Sequence, residues 1–442
     1  MIAKQGRGLT RTWASDFEES RLVHFKKTDL KNGIRVVSEM HPAARAVSIG
    51  VWVLTGTRDE PESHIGISHF LEHMVFKATK TRSAYQIAKS LEALGGELNA
   101  YTTKEYTCYH ALVLKDHWRK ATEILADLVC NMKMSRKDFQ LEKGVILQEL
   151  AMGDDNHEEW IYDILFEEVY GKHPLGRPIL GTMKSITGMN QKEVVDYYKT
   201  TYSGQNIIVS AAGDLDHQDL VLELEKQLKS KKKTRFLQNR KPARWKPCRK
   251  IVEKNSEQVH ILLGFPTGGF KDKFRFESFI VNTLLGGGMT SKLYQSVRER
   301  KGLVYTIYSA LNTFVDTGHI SIYAGADQEN VKELVEIVSK EIRKIKKSGV
   351  TKSEVELYKK QVIGSLLLGS DDIENRMTSL GVNEMVFNKY RSVESVVDEI
   401  NEVTVKSVND FIDQKINPEQ MAGVLLGPGL KSLSSWWEDW QF

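Results

Sequence analysis

The chain has 442 residues, of which 41% are hydrophobic and 27% are charged, a globular composition that excludes disordered, collagenous and coiled-coil proteins. It contains no run of about 20 apolar residues, so we expect no membrane span. The net charge is +4, but 11 of the 62 basic residues stand in one stretch without acids, residues 228–250, so the rest of the chain is net negative. This stretch could contact phosphates, but Pro242 and Pro247 favour a solvated linker, and we expect no nucleic-acid partner.

The cysteine pattern and the N-terminus bear on localisation. Cys108, Cys130 and Cys248 are widely spaced, which argues against a disulfide framework and for a reducing compartment. The first residues carry Lys and Arg without a following apolar segment, so they do not form a secretory signal. A cytosolic tail and a short mitochondrial presequence both remain open.

The predicted elements of the first half alternate between strands and helices. IRVVSEM and VSIGVWVLTG predict strands, and a His-rich helical segment follows. AYQIAKSLEALGGELNAY predicts a helix that ends at Gly95 and Gly96, and YTCYHALVL predicts another strand.

The second half repeats this order. VHILLGF predicts a strand, FESFIVNTLL and SKLYQSVRERKG predict helices separated by Gly286 to Gly288, and LVYTIYSAL and HISIYAGA predict strands. We therefore expect an α+β fold of two similar halves, each a mainly antiparallel sheet with helices on one face. The predicted domains are residues 1–228, a basic linker at 229–250, and residues 251–442.

The most specific motif is His69-Phe70-Leu71-Glu72-His73, in a helical context. Residues i, i+3 and i+4 share one helix face, so His69, Glu72 and His73 point into the same space. Two imidazoles one turn apart can bind one zinc ion, and a carboxylate between them can take a proton from an attacking water. This spacing is the inverted zinc-peptidase motif H-x-x-E-H, although two histidines on an amphipathic helix can also occur by chance.

A third zinc ligand is needed, and an acidic residue from a second helix is the expected type. SRKDFQLEKGVILQELAMGDD carries Glu142 and Glu149 seven residues apart, on one stripe of a helix. We predict Glu149 as the ligand. Glu142 either orients a ligating histidine or is a solvated helix residue.

These motifs resemble the M16 (pitrilysin and mitochondrial processing peptidase) family, in which H-x-x-E-H is followed about 76 residues later by Glu. Here His73 and Glu149 are 76 residues apart. The resemblance implies one zinc per chain held by His69, His73 and Glu149, with Glu72 as the catalytic base. It also implies that Glu142 supports the site by orienting a ligand.

Further matches run along the chain and imply how substrate is bound. The segment from Leu94 to Val113 resembles the family's stretch leading into an edge strand, where backbone groups near Asn99 and Ala100 pair with an extended peptide. Glu159 and Asp163 match an acidic pair that receives a substrate arginine, although they could also be an ordinary acidic helix surface.

In the second half, RERKGLVY carries the last two matched site residues. Arg298 and Tyr305 match a family pair that binds the substrate backbone or stabilises the oxyanion. Their retention beside a complete zinc motif favours a self-sufficient homodimer enclosing a chamber, as in bacterial members of the processing-peptidase group.

The sequence therefore predicts a cytoplasmic, bacterial, zinc-dependent endopeptidase that hydrolyses unfolded peptides held as an added strand, with a preference for basic residues. One alternative is the catalytic β-type subunit of a heterodimeric presequence peptidase, located in the mitochondrial matrix. Another is a non-catalytic peptide-binding scaffold.

Overall fold

The structure, a computed structural model, describes residues 24–153, 155–228, 236 and 240–440. The N-terminal tail or presequence and much of the predicted basic linker lie outside these residues. Among the helices of the described segments, none combines the length and apolar character that a membrane crossing requires.

The first half forms a six-stranded sheet with the order β1-β2-β6-β3-β5-β4. All neighbouring strands are antiparallel except β2 and β6, which are parallel. The strands are β1 (His24–Asp29), β2 (Arg35–Met40), β3 (Ala46–Val53), β4 (Glu97–Thr102), β5 (Thr107–Leu114) and β6 (Ile207–Gly213).

The second half forms a five-stranded sheet with the order β7-β11-β8-β10-β9. Its strands are β7 (Arg249–Glu253), β8 (Val259–Thr267), β9 (Val304–Thr313), β10 (Gly318–Ala326) and β11 (Ala422–Gly427). Only β7 and β11 are parallel neighbours. Apart from β1, the two sheets therefore share strand order and direction, and the predicted α+β fold of two similar halves is confirmed.

Helices follow the strands in both halves. The first half contains α1 (Ile67–Val75), α2 (Ala84–Glu92), α3 (Trp118–Asn131), α4 (Arg136–Gly153), α5 (His157–Tyr170), α6 (Met183–Gly188), α7 (Gln191–Thr201) and α8 (His217–Gln227). The second contains α9 (Arg275–Gly286), α10 (Val331–Ser348), α11 (Lys352–Ser370), α12 (Ile373–Phe387), α13 (Val393–Asn401), α14 (Val405–Lys415) and α15 (Ser434–Asp439). The helix predicted over SKLYQSVRERKG contains instead a π-helical turn, Tyr294–Glu299.

Each sheet buries one face under helices of its own half, as the alternating strand patterns predict. In β3, Val47, Ile49, Val51 and Val53 are buried in the main core of the first half. The corresponding core of the second half is built from β8 and β10 together with α9, α10 and α14.

The opposite face of each sheet is covered by a helix of the other half, which the sequence pattern did not indicate. Helix α12, through Met377 and Leu380, covers Trp52 and Cys108 of the first sheet. Gly381 permits this contact, since a Cβ there would stand 2.2 Å from the Trp52 indole. Reciprocally, α5 packs on β8, β10 and β11 of the second sheet. The two halves are thus joined by an exchange of helices.

A buried ionic cluster also joins the halves. The Arg58 guanidinium lies 2.7 Å from Glu105 and 2.7 Å from Asp316 of the turn between β9 and β10. Arg240, from the predicted linker, lies 2.7 Å from Asp59. This end of the basic segment is therefore part of the junction between the halves.

Strand β7 begins at Arg249, inside the stretch predicted as linker. Just before it, Trp245 packs against the apolar cluster formed by α5 and the second sheet, so the chain is packed here. The domain limits themselves remain a prediction. At the C-terminus, Trp437 is buried in the core of the second half, and the Arg249 guanidinium lies 5.5 Å from the centre of its ring.

Candidate metal centre

Helix α1 presents the H-x-x-E-H residues on the face opposite its core contacts. Ile67, Phe70, Leu71 and Met74 are buried, which leaves the remaining positions for the two histidines and Glu72.

The N-terminus of α1 is capped by a distant carboxylate. Glu60 accepts the backbone N–H groups of Gly66 at 2.7 Å and Ser68 at 2.8 Å. These bonds satisfy donors that the helix leaves unpaired. Burial nevertheless raises the pKa of Glu60 to about 8. Gly66 has a φ of 91°, a left-handed conformation in which a side chain would be strained.

Helix α4 brings the third candidate ligand to the two histidines. The Glu149 carboxylate lies 3.4 Å from His73 Nε2 and 4.0 Å from His69 Nε2. One nitrogen of each histidine and one oxygen of Glu149 all lie within 4.8 Å of one another. No other such group of three His, Cys, Asp or Glu occurs in the part of the chain that the structure describes.

This donor set fits zinc. Two imidazole nitrogens and one carboxylate oxygen are a ligand set of catalytic zinc, and tetrahedral bonds of about 2.0–2.2 Å put donor atoms about 3.4 Å apart. Burial lowers the pKa of His69 to about 3, so the imidazole is neutral near pH 7, the form that binds a metal. Three protein ligands leave a fourth position for water or substrate.

Glu142 contacts the histidine that lies nearer to Glu149. It is buried, and its Oε2 lies 3.1 Å from His73 Nδ1, while its Oε1 lies 2.6 Å from Lys77 Nζ. With Nδ1–H donating to Glu142, the Nε2 atom of His73 carries a lone pair for a metal. His69 has no comparable partner among the described residues, since its Nδ1 is buried without a hydrogen bond.

Glu142→Gln should weaken zinc binding about 10- to 100-fold, because the variant loses the carboxylate that orients His73. Zinc affinity would be measured by competition with a chromogenic chelator. Glu336→Gln, an exposed substitution on α10, is the matched control and should leave zinc affinity unchanged. Equal affinities for all three proteins would contradict an orienting role for Glu142.

Glu72 lies beside the candidate ligands and is tied to the edge of the first sheet. The Thr102 hydroxyl, at the end of β4, donates to its carboxylate at 2.5 Å. Burial raises the pKa of Glu72, against the opposing effect of that hydrogen bond. A carboxylate with a raised pKa is a better proton acceptor near neutral pH.

Asn99 and Ala100 lie on β4, the terminal strand of the first sheet, which among the described strands pairs only with β5. The Ala100 N–H donates to the side-chain oxygen of Asn99 at 2.8 Å. An extended peptide could add to this free edge, and it would compete with the Asn99 side chain for that N–H group.

Glu159 and Asp163 line a surface pocket of about 310 Å³ on α5. Leu150 and Gly153 of α4 also line it, so the pocket lies within about one helical turn of Glu149. The Asp163 side chain is 45% exposed and stands 3.8 Å from Lys104, whose own side chain is buried. Burial raises the pKa of Asp163, with the Lys104 charge opposing the rise. Lys104 therefore places one positive charge beside the acidic pocket.

Arg298 and Tyr305 lie together in the second half. The Arg298 guanidinium lies 4.8 Å from the ring centres of both Tyr305 and Tyr294. Tyr305, on the edge strand β9, is 82% exposed. None of the hydrogen bonds or ring contacts described for this pair reaches His69, Glu72 or His73.

Comparison with known proteins matches the chain to two family models and to bacterial proteins named zinc proteases. Residues 35–183 match the family model described as Insulinase (Peptidase family M16), and residues 188–362 match Peptidase M16 inactive domain. An uncharacterized zinc protease of Mycobacterium leprae is 37% identical over 411 residues, 91% of each chain. The uncharacterized zinc protease YmxG of Bacillus subtilis is 35% identical over 406 residues, 91% of this chain and 98% of YmxG.

The chain belongs to peptidase family M16. Solved structures share its fold: a Helicobacter pylori protease has a TM-score of 0.85 at 23% identity, covering 92% of this chain and all of that one. A Pseudomonas fluorescens protein described as a peptidase M16 inactive domain has a TM-score of 0.86 at 20% identity, covering 92% and 98%. The family prediction is confirmed, and the zinc motif lies in the half that matches the Insulinase model.

Some residues of this M16 site were not indicated by sequence motifs. Thr102 contacts Glu72 only because the end of β4 lies beside α1, and Glu60 reaches the start of α1 across a loop. The sequence carried no signal for Glu60, because it lies six residues before the N-cap Gly66, outside the first turn in which a carboxylate favours a helix N-terminus.

Proposed function

We propose that this M16 family member is a zinc-dependent endopeptidase that cleaves unfolded peptides. The observation that carries the proposal is the convergence of His69, His73 and Glu149 within 4.8 Å, with Glu72 on the same helix face. The zinc protease names of its bacterial relatives agree with that chemistry.

In this mechanism His69, His73 and Glu149 would hold one zinc ion. Bound zinc would act as a Lewis acid that lowers the pKa of water and polarises a carbonyl group. Glu72 takes the proton of the attacking water and later delivers it to the leaving amine. Thr102 holds the Glu72 carboxylate at the end of β4, next to the edge where the substrate strand would bind.

Zinc removal tests the proposal against the scaffold alternative. The protein should contain one zinc per chain and cleave a mixed library of unfolded peptides of about 10–30 residues, as an extended strand requires. Treatment with o-phenanthroline should abolish cleavage, and added zinc should restore it. Zinc-free protein that stays inactive after reconstitution would support a non-catalytic scaffold instead.

The acidic pocket supports a preference for basic residues. Glu159 and Asp163 stand four residues apart on α5 and face the pocket together with Glu167, so three carboxylates oppose the single Lys104 charge. A substrate arginine would bring a second cation and pair with the more exposed carboxylates.

Removal of both charges should reduce this selectivity. In the Glu159→Gln/Asp163→Asn double variant, KM should rise about tenfold for peptides with arginine near the cleaved bond, the scale expected for a charge-assisted hydrogen bond. KM for matched neutral peptides should change little. The measurement is steady-state kinetics on paired peptides that differ only in Arg and Gln. Equal changes for both peptides would show that the pocket does not select basic residues.

We also propose that two copies of the chain assemble into a homodimer that encloses a chamber, in the bacterial cytoplasm. The support is that one chain carries both the zinc motif and the Arg298–Tyr305 pair, while the described contacts within the chain do not connect them. The pair would then complete the site of the other copy. A related partner chain, as in a heterodimeric presequence peptidase, is the alternative.

A further inference from the structure

A positively charged cavity of about 660 Å³ lies in the second half, apart from the helices of the metal centre. It is bounded by the loop before α9, the start of α9, and the connection between α12 and α13. Phe276, Phe387 and Tyr390 form aromatic parts of its wall. Its volume falls within the range of pockets for small ligands.

Two arginines of the cavity wall stack on the same aromatic rings. The guanidinium of Arg275 lies 5.0 Å, and that of Arg391 4.9 Å, from the centre of the Phe387 ring. Both also lie within 6 Å of the Phe276 ring, at 5.2 and 5.7 Å. Two like charges are therefore held near one another on an apolar support, which fixes their orientation.

These guanidinium groups are only partly neutralised within the described residues. The Arg391 side chain is 10% exposed, and its Nη2 lies 2.7 Å from Glu399, but its Nη1 is buried without a hydrogen bond. Arg275 has no ion pair there, and its Nε is also buried without a partner. Buried cationic donors without partners carry a desolvation cost that a bound anion would offset.

The remaining charges around the cavity increase its positive potential. Lys271, Lys273 and Lys389 also line it, against the acids Asp272 and Glu399. Both acids are already engaged: Asp272 accepts the Phe274 N–H at 2.8 Å and lies 3.6 Å from Lys415, and Glu399 pairs with Arg391. The cavity thus has five cations, and neither of its acids is free of a partner.

The first turn of α13 also borders the same cavity. Ser392, the N-cap residue, and Ser395 both line it, so the positive end of a nine-residue helix faces the basic cluster. Guanidinium forks combined with a helix N-terminus match the oxygen geometry of phosphate better than that of a single carboxylate.

We propose that this cavity is a binding site for a small polyphosphate anion, held by Arg275 and Arg391 with the lysines around the opening. The shared recognition element is a chain of phosphate groups, which could be inorganic or part of a nucleotide. The site is independent of the peptidase mechanism proposed above, because no residue of the metal centre lines it.

Calorimetric titration of the full-length protein with inorganic triphosphate and with ATP, each at low and high salt, tests this site. We expect saturable binding that weakens with salt. Arg275→Gln/Arg391→Gln should reduce the affinity at least tenfold, since each arginine loses charge-assisted hydrogen bonds. Equal affinity for the two probes would assign recognition to the phosphates alone, and tighter ATP binding would add a contact to the nucleoside.

The basic linker provides the decisive control, because it could bind polyanions without any cavity. Lys231→Gln/Lys232→Gln/Lys233→Gln removes three positive charges from the linker and should leave the affinity within about twofold of wild type. Loss of binding in this variant but not in the arginine variant would overturn the proposal, as would absence of binding to wild type. A melting temperature close to that of the wild type would show that the Arg275→Gln/Arg391→Gln variant is folded. The Arg275→Lys/Arg391→Lys variant should retain part of the affinity, because both positive charges are kept.

Discussion

Glu72→Gln should lower kcat/KM for peptide cleavage by about 10²- to 10⁴-fold, the range of general acid–base catalysis, while zinc content stays at the wild-type level. The amide cannot accept a proton from water, but its oxygen can still accept the Thr102 hydroxyl, so the local structure should be retained. The measurement is steady-state cleavage of an unfolded peptide together with elemental analysis of zinc.

Glu336→Gln provides the matched control, because it makes the same chemical change at an exposed helix position. Its activity should equal that of wild type. Full turnover by Glu72→Gln with zinc still bound would remove Glu72 from the role of proton acceptor.

Co-expression of Glu72→Gln chains with Arg298→Ala chains should restore activity that neither variant has alone. Arg298→Ala by itself should lose about 10²- to 10³-fold in kcat, the cost of removing one oxyanion donor. If each site combines Glu72 of one copy with Arg298 of the other, a mixed dimer contains one intact site out of two. Random pairing makes half of the dimers mixed, so the expected activity is about a quarter of wild type. Differently tagged chains would allow the mixed dimer to be purified and assayed directly.

A mixed dimer without restored activity would contradict a site shared between copies, because both defects would then lie in separate, self-contained sites. Two co-expressed Glu72→Gln chains with different tags are the control, since no combination of them provides an intact base. The experiment therefore also separates a homodimer with shared sites from a monomeric peptidase.

Local spacing explains how much of this site could be predicted. The i, i+3, i+4 rule places His69, Glu72 and His73 on one helix face, and the structure has them there. The approach of Glu149 depends on how α4 packs against α1, which no periodicity encodes. It was expected from the 76-residue interval of the family resemblance, and the structure places it 3.4 Å from His73.

The fold, like the site, was predictable only where local sequence patterns determine it. Alternating apolar residues marked the strands, and the repeated order of elements indicated two similar halves. The exchange of α5 and α12 was not predictable, because an amphipathic helix shows that it has an apolar face but not which sheet that face covers. The contact between Thr102 and Glu72 was not predictable either, since it joins residues of separate elements.

The exchanged helix α12 has a consequence for synthesis of the chain on the ribosome. The first sheet is complete in sequence at Gly213, but the helix that covers Trp52 and Cys108 ends only at Phe387. At about 5–20 residues per second, that apolar face stays uncovered for roughly 10 to 35 s of translation. Truncation before α12 should therefore yield an aggregation-prone fragment, because that apolar face then stays exposed.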